Sequence, residues 1–235
     1  MSQESTLTDA FWQSPTVSVP SADNAFGTNT AVVSSAPFYA RKMIVFMNSS
    51  GNAAGALQVS VGSTVMVPFL IADSPAGCSP PSVELDLDVP RGASVSIAAA
   101  SYNTTLTYDI SILLLGSSTE LPATQYSNPG ISLSNAYFQV RSAGAAVWTA
   151  LGPALTLPAQ SVRLYQNSNV SAFTFSFGYG PSSTAITTLI NSAPWISDTN
   201  YIWNGVEIPI YIPSGNILYA QQSVSGGAFW PLVKH

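Results

Sequence analysis

Glu84, Asp86 and Asp88 stand at alternate positions and make the densest acidic row in the sequence. On a strand, alternate residues share a face, so these carboxylates would line up about 7 Å apart. Two chemistries use such groups. A carboxylate pair can serve as acid and base in glycoside hydrolysis, and a row of oxygen donors can help to hold calcium. Calcium loops, however, draw their ligands from turns with Asn, Asp and Gly interleaved, whereas this row alternates with Val83, Leu85, Leu87 and Val89. The plainer reading is a solvated strand face whose charge discourages edge-to-edge pairing.

Other routes to catalysis are poorly supplied. The single histidine is the terminal His235, and no G-x-S-x-G elbow, Gly-rich phosphate loop or H-E-x-x-H motif is present. The single cysteine, Cys78, lies in a Ser-Pro-Ala-Gly-Cys-Ser-Pro-Pro loop with no base or cation beside it in sequence, which describes an inert thiol. The chain therefore reads as a non-enzyme without metal or cofactor. Charged residues are only 7% of it, six basic against eleven acidic. Ordinary soluble proteins carry roughly 25%, so the surface must be largely neutral and polar. No basic stripe exists to neutralise a phosphate backbone, which argues against nucleic acid as a partner. The longest apolar run, Val65 to Ala72, contains Pro68 and is far short of the roughly twenty residues that cross a bilayer. The start, MSQESTLTDAFW, has neither a basic nor an apolar region and does not read as a signal peptide.

The stretch from Asn191 to Gly205 is of a different kind. It gathers Trp195, Tyr201 and Trp203 with Asp198 and Asn200. Aromatic faces edged by amides and carboxylates suit a protein interface or a glycan site, and they equally suit the plug at the end of a sandwich. Phe11 and Trp12 form a second aromatic pair in an otherwise polar start, a segment that a neighbouring surface could order.

The elements that would position these residues are all strands. Thr16–Val19, Ala31–Val33, Met43–Ser49, Leu57–Gly62, Val65–Ile71, Val83–Val89, Ala93–Ala99 and Leu106–Leu115 alternate or run apolar at roughly ten-residue spacing, with no helical period. The residues from Gly116 to Gly130 lack any apolar period, and then the pattern begins again. Val162–Ser168 takes the place of Ile44–Ser49, and Phe173, Phe175 and Phe177 replace Leu57, Val59 and Val61. The frame V-E-x-x-x-x-[VI]-P-x-G occurs at Val83–Gly92 and again at Val206–Gly215. Two tandem antiparallel β-sandwich domains of jelly-roll type, related by internal duplication, are expected. The division is a polar arm 1–14, a first domain 15–117, a linker 118–130 and a second domain 131–235. Glu84 with Glu207 is the one polar match between the copies, so shared chemistry is not expected.

Val59-Ser60-Val61-Gly62, the apolar strand ending Leu70-Ile71, and V-E-x-P-I-x-I-P-x-G-x-x-x-x-A from Val206 to Ala220 together resemble a repeated β-sandwich module of tailed-bacteriophage structural proteins. The resemblance covers about 38–115 and 150–222. Pro209, Ile210, Ile212, Pro213 and Gly215 keep its pattern in the second copy, and Pro90, Gly92 and Ile97-Ala98-Ala99 in the first. The family's arginines are replaced, the first of them by the Asn216-Ile217-Leu218 stretch. The resemblance implies a virion component assembled in the host cytoplasm: a head decoration or cement protein, or a fibre or spike subunit. Its partners would be other virion proteins and copies of itself. A carbohydrate-binding adhesion module of a tail fibre is the alternative.

Overall fold

The computed structural model of the chain describes residues 10–73, 82–116, 124–141, 143–167, 173–195, 205–225 and 227–235. Apart from one 3-10 turn, all of its regular elements are strands. They fall into two compact units, one built from residues up to 125 and the other from 126 onward, except that 52–55 and Asp73 cluster with the second.

The first unit holds β1 (Phe11–Gln13), β2 (Val17–Asp23), β3 (Thr30–Val33), β4 (Ala40–Ser49), β5 (Gly55–Val61), β6 (Thr64–Asp73), β7 (Ser82–Leu85), β8 (Val95–Ser101) and β9 (Thr107–Gly116). They join in the order β6-β5-β8-β2-β9-β4-β7, with β1 also on β9 and β3 also on β8. One layer is therefore β2-β9-β4-β7 and the other β3-β8-β5-β6, the strand order of a jelly roll. Antiparallel pairing was expected throughout, yet β2 departs from it. Val17–Pro20 pair antiparallel with β9, and Ser21–Asp23 continue parallel to β8. One strand thus turns the corner between layers, as strands do where sheets curl into a sandwich.

The second unit holds β10 (Tyr126–Ser127), β11 (Val140–Arg141), β12 (Thr149–Ala150), β13 (Ser161–Asn167), β14 (Phe173–Ser182), β15 (Ala185–Trp195), β16 (Val206–Ile208), β17 (Ile217–Gln222) and β18 (Ala228–Lys234). One sheet is β10-β18-β13-β16 with β11 also on β18, and the other is β12-β17-β14-β15. This is again jelly-roll order. The core between the sheets includes Val162, Leu164, Phe175, Phe177, Leu218 and Phe229 on inward strand positions, and Leu151 just after β12.

The two units agree pair by pair. Met43–Leu85, Ile44–Glu84 and Val45–Val83 in β4–β7 match Val162–Ile208, Arg163–Glu207 and Leu164–Val206 in β13–β16. Thr30–Ile97 and Ala31–Ser96 match Thr149–Ala220 and Ala150–Tyr219. Met43–Leu114 matches Val162–Val233. Both V-E strands are shorter than their alternation suggests, ending at Leu85 and Ile208. In the second, Pro209 has no N–H for a ladder. Each then rejoins its neighbour through one bridge, Val89 to Ala40 and Ile212 to Ala159. The glycine that follows sits at φ +84° in both, Gly92 and Gly215, and its N–H donates at 2.8 Å to Ala36 O in one unit and Leu155 O in the other.

Candidate functional site

The acidic row lies along an edge. Among the described residues, β7 is the last strand of its sheet, and its only neighbour is β4. Across that pair, the Lys42 ammonium contacts the Glu84 carboxylate and stands 3.9 Å from Asp86. Asp88 accepts a 2.6 Å hydrogen bond from the Tyr39 hydroxyl. The carboxylates are thus directed to partners on or beside β4 rather than gathered around a common point. With the Glu84 and Asp86 side chains 50% and 43% exposed, the contacts are surface ion pairs, each contributing roughly 0–1 kcal/mol. Among the described residues, no group of three His, Cys, Asp or Glu could hold a metal ion.

Glu207 occupies the matching place on β16 and also holds a base. It lies opposite Arg163, accepts from Nη2 at 2.5 Å and Nε at 3.2 Å, and accepts from the Ser161 hydroxyl at 3.1 Å. Burial works against charge on Arg163, but Tyr165 and Glu207 outweigh it and hold the guanidinium above its already high ordinary pKa. Burial pushes the Tyr165 phenol up, while Arg163 pulls it down. The shared glutamate therefore takes part in a strand-to-strand ion pair in both units. Lys42 and Arg163 were not singled out from sequence; β13 carries one basic residue, but β4 carries both Arg41 and Lys42, and nothing local says which of the two meets the V-E strand.

The aromatic stretch is only partly in view. Asn191–Trp195, expected as loop, belong to the long strand β15, where Trp195 is paired with Phe173 and Ala193 with Phe175. Ladder bonds to β14 override the Asn, Ser and Pro that suggested a loop. Asp198, Asn200, Tyr201 and Trp203 lie outside the described residues, as do Cys78 and the side chain of Trp195. Phe11 and Trp12, read as part of an arm, form β1 with Gln13 and pair with Leu115 and Leu114 of β9. Trp12 is partly buried, and Phe11 is 79% exposed. Among the described residues, Tyr211 on the second unit is the next most exposed large apolar residue.

A second divergence was not anticipated. Between β1 and β2 the first unit has only Ser14–Thr16, whereas residues 128–139 separate β10 from β11. β10 itself falls within the stretch expected as a linker. The insertion turns through Ala136–Phe138, where Tyr137 and Phe138 take φ of +54° and +56°, a left-handed conformation that non-glycine residues adopt at some cost. Asn135 Nδ2 donates to Gly130 O at 2.7 Å, and Gly130 and Gly152 approach so closely that a Cβ on either would overlap the other segment's backbone. An open hollow of about 370 Å³ results, lined by residues including Asn135, Gln139 and Arg141. The Gln139 side-chain oxygen accepts from Arg141 Nη2 and Nε at 2.7 and 2.9 Å, which holds an exposed guanidinium in a set orientation.

No protein-family model matches the sequence, and no curated protein does. Among solved structures, the chain is similar to the major capsid protein P2 of Bacteriophage PM2, with a TM-score of 0.44 and 7% identity over 94% of this chain and 96% of that one. The PBSX exported protein XepA gives a TM-score of 0.28 and 10% identity over 100% and 90%. The tandem CBM22 domains of Paenibacillus barcinonensis Xyn10C give 0.27 and 10% over 87% and 82%. At such low identity and superposition, these likenesses carry nothing about what this chain does.

Proposed function

We propose that the chain is a non-enzymatic structural component of a bacteriophage particle, working through protein–protein contacts in the coat of the head, with its two jelly rolls related by duplication. The pair-by-pair agreement of the two jelly rolls carries this reading. What they hold in common is ladder, core and turn, with one surface ion pair each, so the repeated feature is a scaffold rather than a reacting site. Jelly rolls build viral capsids and lectin domains, and the sequence resemblance to a phage structural module favours the first. A surface with 7% charged residues suits contacts made by apolar and neutral hydrogen-bonding groups. The head coat is preferred to a fibre because the scaffold is a shell-building one.

Quantitative mass spectrometry of purified particles, with antibody labelling of their images, tests the assignment. Label spread over the head, at a copy number comparable to that of the other coat proteins, is expected. Absence from the particle, or label at the tail alone, would overturn it. Trp195→Ala and Trp203→Ala are expected to weaken particle assembly or stability. If instead they abolish binding on a glycan array and leave assembly intact, the adhesion reading takes its place.

A further inference from the structure

At one end of the second sandwich, two glutamines point inward without partners. On β13, Val162 and Leu164 face the core, so Gln166 does as well; on β17, Leu218 and Ala220 face it, so Gln222 does as well. Each is 1% exposed, and in both the amide nitrogen and the amide oxygen lack a hydrogen-bond partner. They belong to opposite sheets. Their places in the ladders put them at the same end, since Gln166 pairs with Phe229 at the start of β18 and Gln222 with Phe175 at the start of β14.

The first unit makes clear that the scaffold does not require this polarity. By register, Gln166 corresponds to Met47, which pairs with Ile110 as Gln166 pairs with Phe229. Gln222 corresponds to Ala99, two residues beyond Ile97 as Gln222 is two beyond Ala220. Gly227, just before β18, corresponds to Tyr108, one of the largest fully buried side chains of the first unit. A Cβ on Gly227 would overlap the Gln222 amide. Where one jelly roll closes its end with a methionine, an alanine and a tyrosine ring, the other has two amides and no side chain.

We propose that this end of the second unit is an internal binding site for ordered water, held between Gln166 and Gln222, whose amide packs against Gly227 where the first unit has the larger Tyr108 ring. Buried amides without protein partners are met by water that finds two to four polar groups, and the two side chains together offer donors and acceptors. Each amide offers two donors and an acceptor, a set that matches a neutral donor–acceptor molecule such as water. The site is independent of the virion reading.

A crystal structure of the full chain at a resolution that reveals water tests the proposal, with oxygen-17 relaxation dispersion counting long-lived waters in solution. Density within about 2.7–3.2 Å of both amides is expected. The double variant Gln166→Met/Gln222→Ala, which puts the first unit's residues at those two positions, should lose the long-lived water. Amides bonded directly to each other, or to other protein groups with no water between them, would overturn it. So would a count of long-lived waters that the double variant leaves unchanged. If the variant fails to fold, the unmodified chain's structure decides alone.

Discussion

Glu84 and Glu207 hold the same place in two jelly rolls, yet they sit in different surroundings. The side chain of Lys42 is 39% exposed and that of Arg163 is 22% exposed. Arg163 makes two hydrogen bonds to its carboxylate, and paired, partly desolvated contacts of that kind are stronger than exposed ones. Glu207→Gln should therefore cost about 1–2 kcal/mol, and Glu84→Gln no more than about 0.5 kcal/mol. Urea midpoints of the two variants check this, and equal shifts would contradict it. Tyr165 supplies a pH test. Its folded pKa is raised above 10.0, so above about pH 10 the unfolded chain gives up a proton that the folded chain keeps. The unfolded state then binds fewer protons, and stability falls as pH rises. The contribution is complete below the ordinary tyrosine value and is lost through the folded one. In Tyr165→Phe, the alkaline loss measured by thermal melts between pH 9 and 11 should be shallower.

Among the elements, the turn after each V-E strand offers the sharpest test. Gly92 and Gly215 share φ +84°, and a Cβ on either would meet open space. Steric crowding is absent, so only the left-handed backbone resists a side chain, at about 1–2 kcal/mol. Gly92→Ala and Gly215→Ala should destabilise by similar amounts in calorimetry. A large difference between them would mean that the two turns are not equivalent. Most strands were legible because alternation is a local signal, and Val83–Val89 keeps it even past Leu85, where the ladder stops. β10, β11 and β12 were not legible, since each has two residues, too few to display a period. Asn191–Trp195 misled for the opposite reason: turn-forming residue types were held extended by the neighbouring strand β14.

For the whole molecule, the scarcity of charge bears on assembly. Contacts made by apolar and neutral polar groups are little screened by salt, whereas charge-steered ones weaken as the Debye length falls to about 3 Å at 1 M. On the proposed role, association of the chain with a phage particle should change little between about 0.1 and 1 M sodium chloride, as measured by sedimentation of particles with the bound chain. Release at high salt would point to Arg141 and its hollow as the governing contact. The sequence alone determined that the chain is all-β, which strand faces are apolar, and that one frame recurs with Pro and Gly at its turns. Those properties follow from periodicity and backbone preference, which act over a few residues. Only the tertiary structure decided that β2 changes sheets, that each glutamate meets a basic side chain across a ladder, and that residues 128–139 help to line a hollow in the second unit. It also turned Gln166 and Gln222 inward at the same end. Each of these depends on register between strands far apart in sequence, and register is chosen by the packing of the whole sandwich rather than by any one strand.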